Sequence, residues 1–165
     1  MATVRFADRA KAKQVVGEPN LLIGELDMPL TASNVKQAWQ FLSKIERQYV
    51  LTWEEMPRRK RVFAVLDSQT RQPKSMIFLH LVDFNPANPK RAPPWNLDFI
   101  ATSPDARNKG LATQLLEETQ SRFTDILAFT CNAGADRLFA RCNFHIQRVH
   151  VSGFGTADIQ VWEKL

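Results

Sequence analysis

The 165-residue sequence predicts an α/β domain in which strands outnumber helices. Three observations carry this. Short β-rich runs recur from "RVFAVLD" to "ADIQVWEKL", two stretches repeat apolar residues at helical spacing, and two pairs of β-rich runs are joined by short polar or glycine-containing connectors. The length suits one domain over residues 1–165, with a real core, rather than two.

In chain order, "TVRF" (3–6) reads as a short first strand, and "NLLIGEL" as a strand or a packed loop. From Thr31 a helix is expected, because Val35, Trp39, Leu42, Ile45 and Tyr49 recur every three or four residues and share one apolar face. Thr31 or Ser33 can cap its start by accepting an orphaned backbone N–H. "RVFAVLD" (Arg61 to Asp67) and "SMIFLHLVDF" (Ser75 to Phe84) flank the polar "SQTRQP", which predicts an antiparallel hairpin. "NPANPKRAPP" holds Pro86, Pro89, Pro93 and Pro94, which cannot donate to a sheet ladder, so an exposed loop is expected.

"WNLDFIAT" (Trp95 to Thr102) is a strand. Simple alternation puts Trp95, Leu97 and Phe99 on one face and Asn96, Asp98, Ile100 and Thr102 on the other. Leu111, Ala112, Leu115, Leu116 and Phe123 form the stripe of a second helix, followed by a buried strand, "DILAFTC", and a short helix, "ADRLFARCN". "FHIQRVHV" and "ADIQVWEKL", joined by "SGFGT", predict a terminal hairpin.

Composition excludes several classes. Charge and hydrophobic content are those of an ordinary globular protein, which argues against wholesale disorder. No apolar run approaches membrane-spanning length, and "MATVRFADRAKAK" lacks a signal-peptide core, so no membrane partner and a cytoplasmic location are expected. Cys131 and Cys142 form no metal-ligand spacing with His80, His145 or His150, so no metal is expected and both read as reduced thiols. The net charge of +5 modestly favours anionic ligands.

"RNKGLATQLL" (Arg107 to Leu116) lies between a strand and a helix. Gly110 permits backbone conformations and close approach that a β-carbon obstructs. The helix start offers unpaired N–H groups and the positive end of its dipole, and Arg107 and Lys109 add charge at the same place. Small Ala112 lets an anion approach the backbone. By itself the turn fits two readings, a phosphate cradle or a loop with two solvated basic residues.

Arg-x-x-Gly-x-Ala between a strand and a helix resembles the acetyl-CoA loop of the GCN5-related N-acetyltransferases. "FTCNAGADRLFARCNFH" resembles that family's second signature, and together the two motifs cover Trp95 to His145, with a weaker likeness in strand order over Arg61 to Phe84. The resemblance implies a mixed, mostly antiparallel central sheet flanked by helices, an α/β fold of α+β arrangement, with two neighbouring strands splayed around the pantetheine arm of acetyl-CoA. Carried over by position, Ile100 and Thr102 would meet the pantetheine through their main chain. Arg107, Asn108, Lys109, Gly110, Leu111 and Ala112 would wrap the pyrophosphate, and Asn132, Ala135 and Phe139 would lie along the cofactor beyond the splay. Arg137 and Arg141 are either solvated helix charges or contacts to the 3′-phosphate.

Acetyl transfer to an amine of pKa ~10.4 needs a proton acceptor at neutral pH. Asp98 stands where many members of that family place a catalytic carboxylate, acting directly or through water; the alternative is a structurally paired strand aspartate. The family's usual acid for the departing thiolate is the tyrosine of Tyr-x-x-x-Gly-Phe, and here that pattern reads Phe139 to Phe144, with Asn143 in the glycine position. The only tyrosine, Tyr49, reads as part of an apolar helix face. A thiol of pKa ~8.5 is already a tolerable leaving group, so slow transfer without the tyrosine is physically allowed.

Three functions follow, in order. The first is an acetyl-CoA-dependent N-acetyltransferase acting on an amine of a small molecule or protein through a direct ternary complex. The second is a catalytically weak CoA-binding protein that works through a protein partner. The third is a protein acting on an RNA-linked acceptor, resting on "RRKR" (Arg58 to Arg61), Lys90 and Arg91, a pattern more often found at solvated loop ends. The acceptor class stays open, as do monomer and homodimer.

Overall fold

A computed structural model describes residues 4–27, 44–128, 133–151, 153 and 155–165. Among these, eight strands form one sheet: β1 (Lys13–Val15), β2 (Glu18–Glu25), β3 (Lys60–Asp67), β4 (Pro73–Leu81), β5 (Trp95–Thr102), β6 (Asp125–Ala128), β7 (His145–Val151) and β8 (Gly155–Glu163). The order across the sheet is β1-β2-β3-β4-β5-β6-β8-β7. Every neighbouring pair is antiparallel except β5 and β6. The described helices are α1 (Lys44–Glu55), α2 (Leu111–Gln120) and α3 (Ala133–Arg141).

The central strands explain the layering. Val62 through Leu66 and Met76 through Leu79 are fully buried, as continuous apolar runs require when both sheet faces are covered. Alternate residues then serve opposite cores. Phe63, Val65, Ile77, Leu79, Leu97 and Ile126 pack under Leu111, Leu115 and Leu116 of α2 and Phe139 and Cys142 near the end of α3. Val62, Ala64, Leu66, Met76 and Phe78 pack under Val50 and Trp53 of α1, with Val4, Phe6 and Leu26 beside them. The sheet therefore has an α1 face and an α2/α3 face.

Both predicted hairpins form, β3–β4 and β7–β8. "NLLIGEL" lies largely in β2, antiparallel to β3. "TVRF" forms no strand among the described residues: Phe6 makes a single bridge to Leu26, while Val4 and Phe6 are held by apolar packing. The predicted helix start at Thr31, with Val35, Trp39 and Leu42, lies outside the described residues. Asn143 does end the α3 segment in the left-handed conformation, φ 67°, which asparagine tolerates better than most residues. Gln120 donates to the Cys142 carbonyl at 2.7 Å and ties α2 to the end of α3.

The proline-rich segment is less exposed than its composition predicts. Asn85 and Pro94 are buried, and Ala87 packs against Leu127, Val149, Ile159 and Val161 of the C-terminal strands. Arg91 reaches the buried Asp125 at 2.8 Å, and Gln147 donates to the Ala87 carbonyl at 3.0 Å. The loop covers an apolar patch, and Asn85 Oδ1 accepts from the Ala87 and Asn88 N–H groups at 3.0 and 3.1 Å, while its Nδ2 is buried with no partner among the described residues. Among the described residues no helix is long and apolar enough to cross a membrane.

Candidate active site

The site is organised by one irregularity in β5. Phe78 lies opposite Phe99, but the next residue of β4, Leu79, lies opposite Leu97. Asp98 is therefore the extra residue of a β-bulge, which breaks simple alternation. Trp95 and Leu97 face α2/α3, whereas Phe99 and Ala101 pack with the α1-side core and Ile100 with the other. This corrects the expectation that Phe99 shares a face with Trp95 and Leu97, and that Asp98 shares one with Ile100 and Thr102. The bulge leaves Asp98 beside Asn96 on the α1 face and turns Ile100 and Thr102 to the α2/α3 face, where Thr102 Oγ1 meets Ser75 Oγ at 2.9 Å.

On the α1 face Asp98 is held by two side chains. Its Oδ2 meets Nδ1 of His80 at 2.5 Å, and its Oδ1 accepts from Nδ2 of Asn96 at 2.7 Å. The His80 and Asp98 side chains are 16% and 8% exposed. His80 lies opposite Asn96 across the β4–β5 ladder, so the cross-strand register assembles the trio. Tyr49 of α1 lies over this region, with its ring centroid 5.5 Å from that of Phe99 and its hydroxyl donating to the Asp98 carbonyl at 3.0 Å. Tyr49 is 47% exposed, which corrects its reading as a purely apolar helix residue.

On the other face the chain builds an electropositive cleft of about 690 Å³. Thr102, Arg107, Asn108, Gly110, Leu111 and Ala112 line it, joined by Ala106 and Thr113 and by Arg137, Leu138 and Arg141 of α3. Asn108 and Gly110 have φ of 63° and 71°, so the loop turns sharply just before the helix. No side chain caps α2, which leaves its first-turn N–H groups available to a ligand. Backbone donors, helix dipole and three guanidinium groups together favour a polyanion.

The predicted residues divide accordingly. Thr102, Arg107, Asn108, Gly110, Leu111 and Ala112 come together at the cleft, while Lys109 turns toward Glu18 at 3.9 Å. Ile100 and Ala135 are partly buried against the core between β5 and α3. Phe139 is 2% exposed, with its ring centroid 4.8 Å from that of Phe144, and belongs to the core rather than the cleft lining. Asn132 lies outside the described residues. Asp98 stands on the opposite face of β5 from the cleft. Sequence reasoning missed His80, and it left Arg137 and Arg141 open although their four-residue spacing already put both on one side of the helix. Burial pushes the Cys142 thiol up to about 11, so it serves packing and not proton transfer near neutral pH.

Three of the four residues of "RRKR" are spent within the fold. Arg61 makes a bidentate pair with Glu25 at 2.6 and 3.0 Å and stacks over Phe63, Trp95 and Phe123. Arg58 pairs with Asp83, and Lys60 bonds the Glu54 carbonyl.

Comparison with known proteins agrees with this architecture. The E. coli GNAT family N-acetyltransferase YhbS, in complex with CoA, superposes with a TM-score of 0.62 at 17% identity, covering 87% of this chain and 81% of that one. A putative GNAT acetyltransferase from Desulfovibrio desulfuricans gives 0.58 at 15% identity, covering 87% and 98%. A GNAT family acetyltransferase from Brucella melitensis, in complex with acetyl-CoA, gives 0.57 at 12% identity, covering 87% of each chain. No curated protein matches the chain. The family model for the acetyltransferase (GNAT) family matches residues 33–144, more than half of the chain. With the mostly antiparallel sheet, the bulged β5 and the glycine turn before α2, that match makes this chain a member of the GNAT acetyltransferase family.

Proposed function

We propose that the chain is an acetyl-CoA-dependent N-acetyltransferase that joins cofactor and amine in one ternary complex. One observation carries the reading: β5 presents an anion-cradling cleft on one face and the His80–Asp98 pair on the other. Cofactor and acceptor would thus approach from opposite faces. The CoA and acetyl-CoA held by the E. coli and Brucella proteins support the choice of cofactor.

The residues present suit that group. Arg107 to Ala112 would hold the pyrophosphate on backbone N–H groups, with Arg137 and Arg141 able to reach a further phosphate. The β5 main chain at Ile100 and Thr102 would pair with the pantetheine, and Asn132 and Ala135 would lie along it, with Phe139 behind them in the core. Acetyl-CoA supplies an activated acyl group as a thioester. Asp98, with His80 beside it, forms the proton-accepting part of the site, and the β5 backbone at Ile100 offers N–H stabilisation where negative charge develops.

One continuous sheet running from Lys13 to Glu163 supports reading all 165 residues as one domain. The thiol pattern supports a cytoplasmic location. Phe139 offers no hydroxyl and favours a second reading, a CoA-binding protein that acts through a protein partner. An RNA-linked acceptor loses ground because Arg58, Lys60 and Arg61 of "RRKR" pair within the fold. Calorimetric titration with acetyl-CoA, followed by CoA-release assays over a panel of amines and peptides, separates the first two. Binding with transfer supports the enzyme, binding without transfer to any acceptor supports the second reading, and absence of binding sinks both.

A further inference from the structure

We infer that His80 receives the acceptor's proton and that Asp98 and Asn96 are positioning residues for it, an inference resting on the acetyltransferase reading above. A carboxylate only accepts hydrogen bonds, so the 2.5 Å contact with Asp98 puts the neutral ring's proton on Nδ1. The ring's remaining lone pair is then on Nε2, which has no hydrogen-bond partner among the described residues. Asp98 is the less available member of the pair. One oxygen is taken by His80 and the other by Asn96 at 2.7 Å, and its side chain is 8% exposed against 16% for His80. An amine approaching the carboxylate directly must displace one of these partners; an amine approaching the imidazole displaces none.

The arrangement has the logic of a base oriented by a buried acid. Asp98 fixes the tautomer and favours the imidazolium as it forms, and Asn96 fixes Asp98. Tyr49 steadies the same residue from the backbone side by donating to the Asp98 carbonyl at 3.0 Å. In the transfer the amine, having lost its ammonium proton to solvent, bonds through nitrogen to the acyl carbon, and the carbon–sulfur bond breaks, its electron pair leaving on sulfur. The proton shed by nitrogen passes to Nε2 of His80 and then through solvent to the thiolate, so the products are an N-acetylamine and a thiol. One proton serves both ends of the reaction, and no hydroxyl at position 139 is required.

The test combines a spectroscopic and a kinetic readout on the full chain. In the ¹⁵N spectrum His80 is expected to carry its proton on Nδ1 and a lone pair on Nε2; a proton on Nε2 overturns the inference. With acetyl-CoA and the best acceptor among a polyamine, lysine ethyl ester and a short peptide with a free N-terminus, His80→Gln is expected to lower kcat about 100-fold or more. Acetyl-CoA affinity and Tm should stay near those of the parent. Imidazole should restore turnover to His80→Ala and not to Asp98→Ala. Asp98→Asn should lose as much as His80→Gln, with no further loss in the double variant, because the two act as a unit. A His80→Gln protein with kcat within about threefold of the parent would show that Asp98 takes the proton itself. A parent protein that binds acetyl-CoA yet transfers to no amine overturns the acetyltransferase reading and this inference with it, an outcome distinct from an active parent with an active His80 variant.

Discussion

The two faces of β5 are built by different means. On the α2/α3 face the cleft is a property of one short stretch of chain: a left-handed Asn108 and Gly110, uncapped N–H groups and basic residues close in sequence, completed by two arginines of α3. On the α1 face the His80–Asp98–Asn96 trio depends on how two strands pair and on one extra residue between Leu97 and Phe99. Anion binding needs only donors and positive charge in one place, whereas proton transfer needs two side chains at hydrogen-bond distance. The first tolerates local imprecision and the second does not.

Substitutions that separate binding from turnover sharpen this contrast. The largest effect is expected from Asp98→Ala, which should reduce CoA release by roughly 10²–10⁴-fold while leaving acetyl-CoA affinity within a factor of about two, read by calorimetry beside a thiol assay. The reverse pattern is expected on the other face. Arg137→Ala with Arg141→Ala should weaken acetyl-CoA binding about tenfold or more, with the deficit shrinking at high salt and kcat at saturation little changed. If that pair instead lowered kcat at unchanged affinity, the division of labour between the faces would be wrong.

Smaller effects probe the scaffold. A Cβ at Gly110 would meet nothing within 4 Å, so Gly110→Ala pays only for its left-handed backbone, φ 71°. About 1–2 kcal/mol is expected, a fall in Tm of several degrees in a thermal melt, with acetyl-CoA affinity reduced as the turn relaxes. The smallest effect concerns Cys142, whose thiol burial pushes up to about 11. The folded state keeps this thiol protonated where an unfolded one would ionise. Its contribution to stability is therefore whole below about pH 9 and lost as pH rises from there toward about 11. At pH 8 iodoacetamide should leave Cys142 unmodified in the native protein and label it once the chain is unfolded, by peptide mass analysis.

Much of the fold is legible in the sequence because its signals are local. The limits of β5, Trp95–Thr102, follow from its alternating residues, and the two hairpins follow from short polar connectors between β-rich runs. "TVRF" misleads because β propensity in a short segment yields here to packing of Phe6 against the α1-side core. The proline segment misleads because its residues cover an apolar patch supplied by strands far along the chain. In the site, the turn before α2 is visible because glycine, charge and helix start are adjacent. His80 gives no such signal: it sits inside an apolar run, and only its pairing with Asn96 brings it to Asp98.

The sequence by itself determined the strands from Arg61 onward, the hairpins and the anion-favouring turn, since propensity, periodicity and neighbouring charge act over a few residues. Tertiary structure alone decided which faces those elements serve. The bulge at Asp98 is a mismatch in register between β4 and β5, and a regular-looking stretch such as "WNLDFIAT" carries no local mark of it. That mismatch turns Ile100 and Thr102 toward the cleft while leaving Asp98 with His80, because side-chain direction in a strand is set by pairing as well as by alternation.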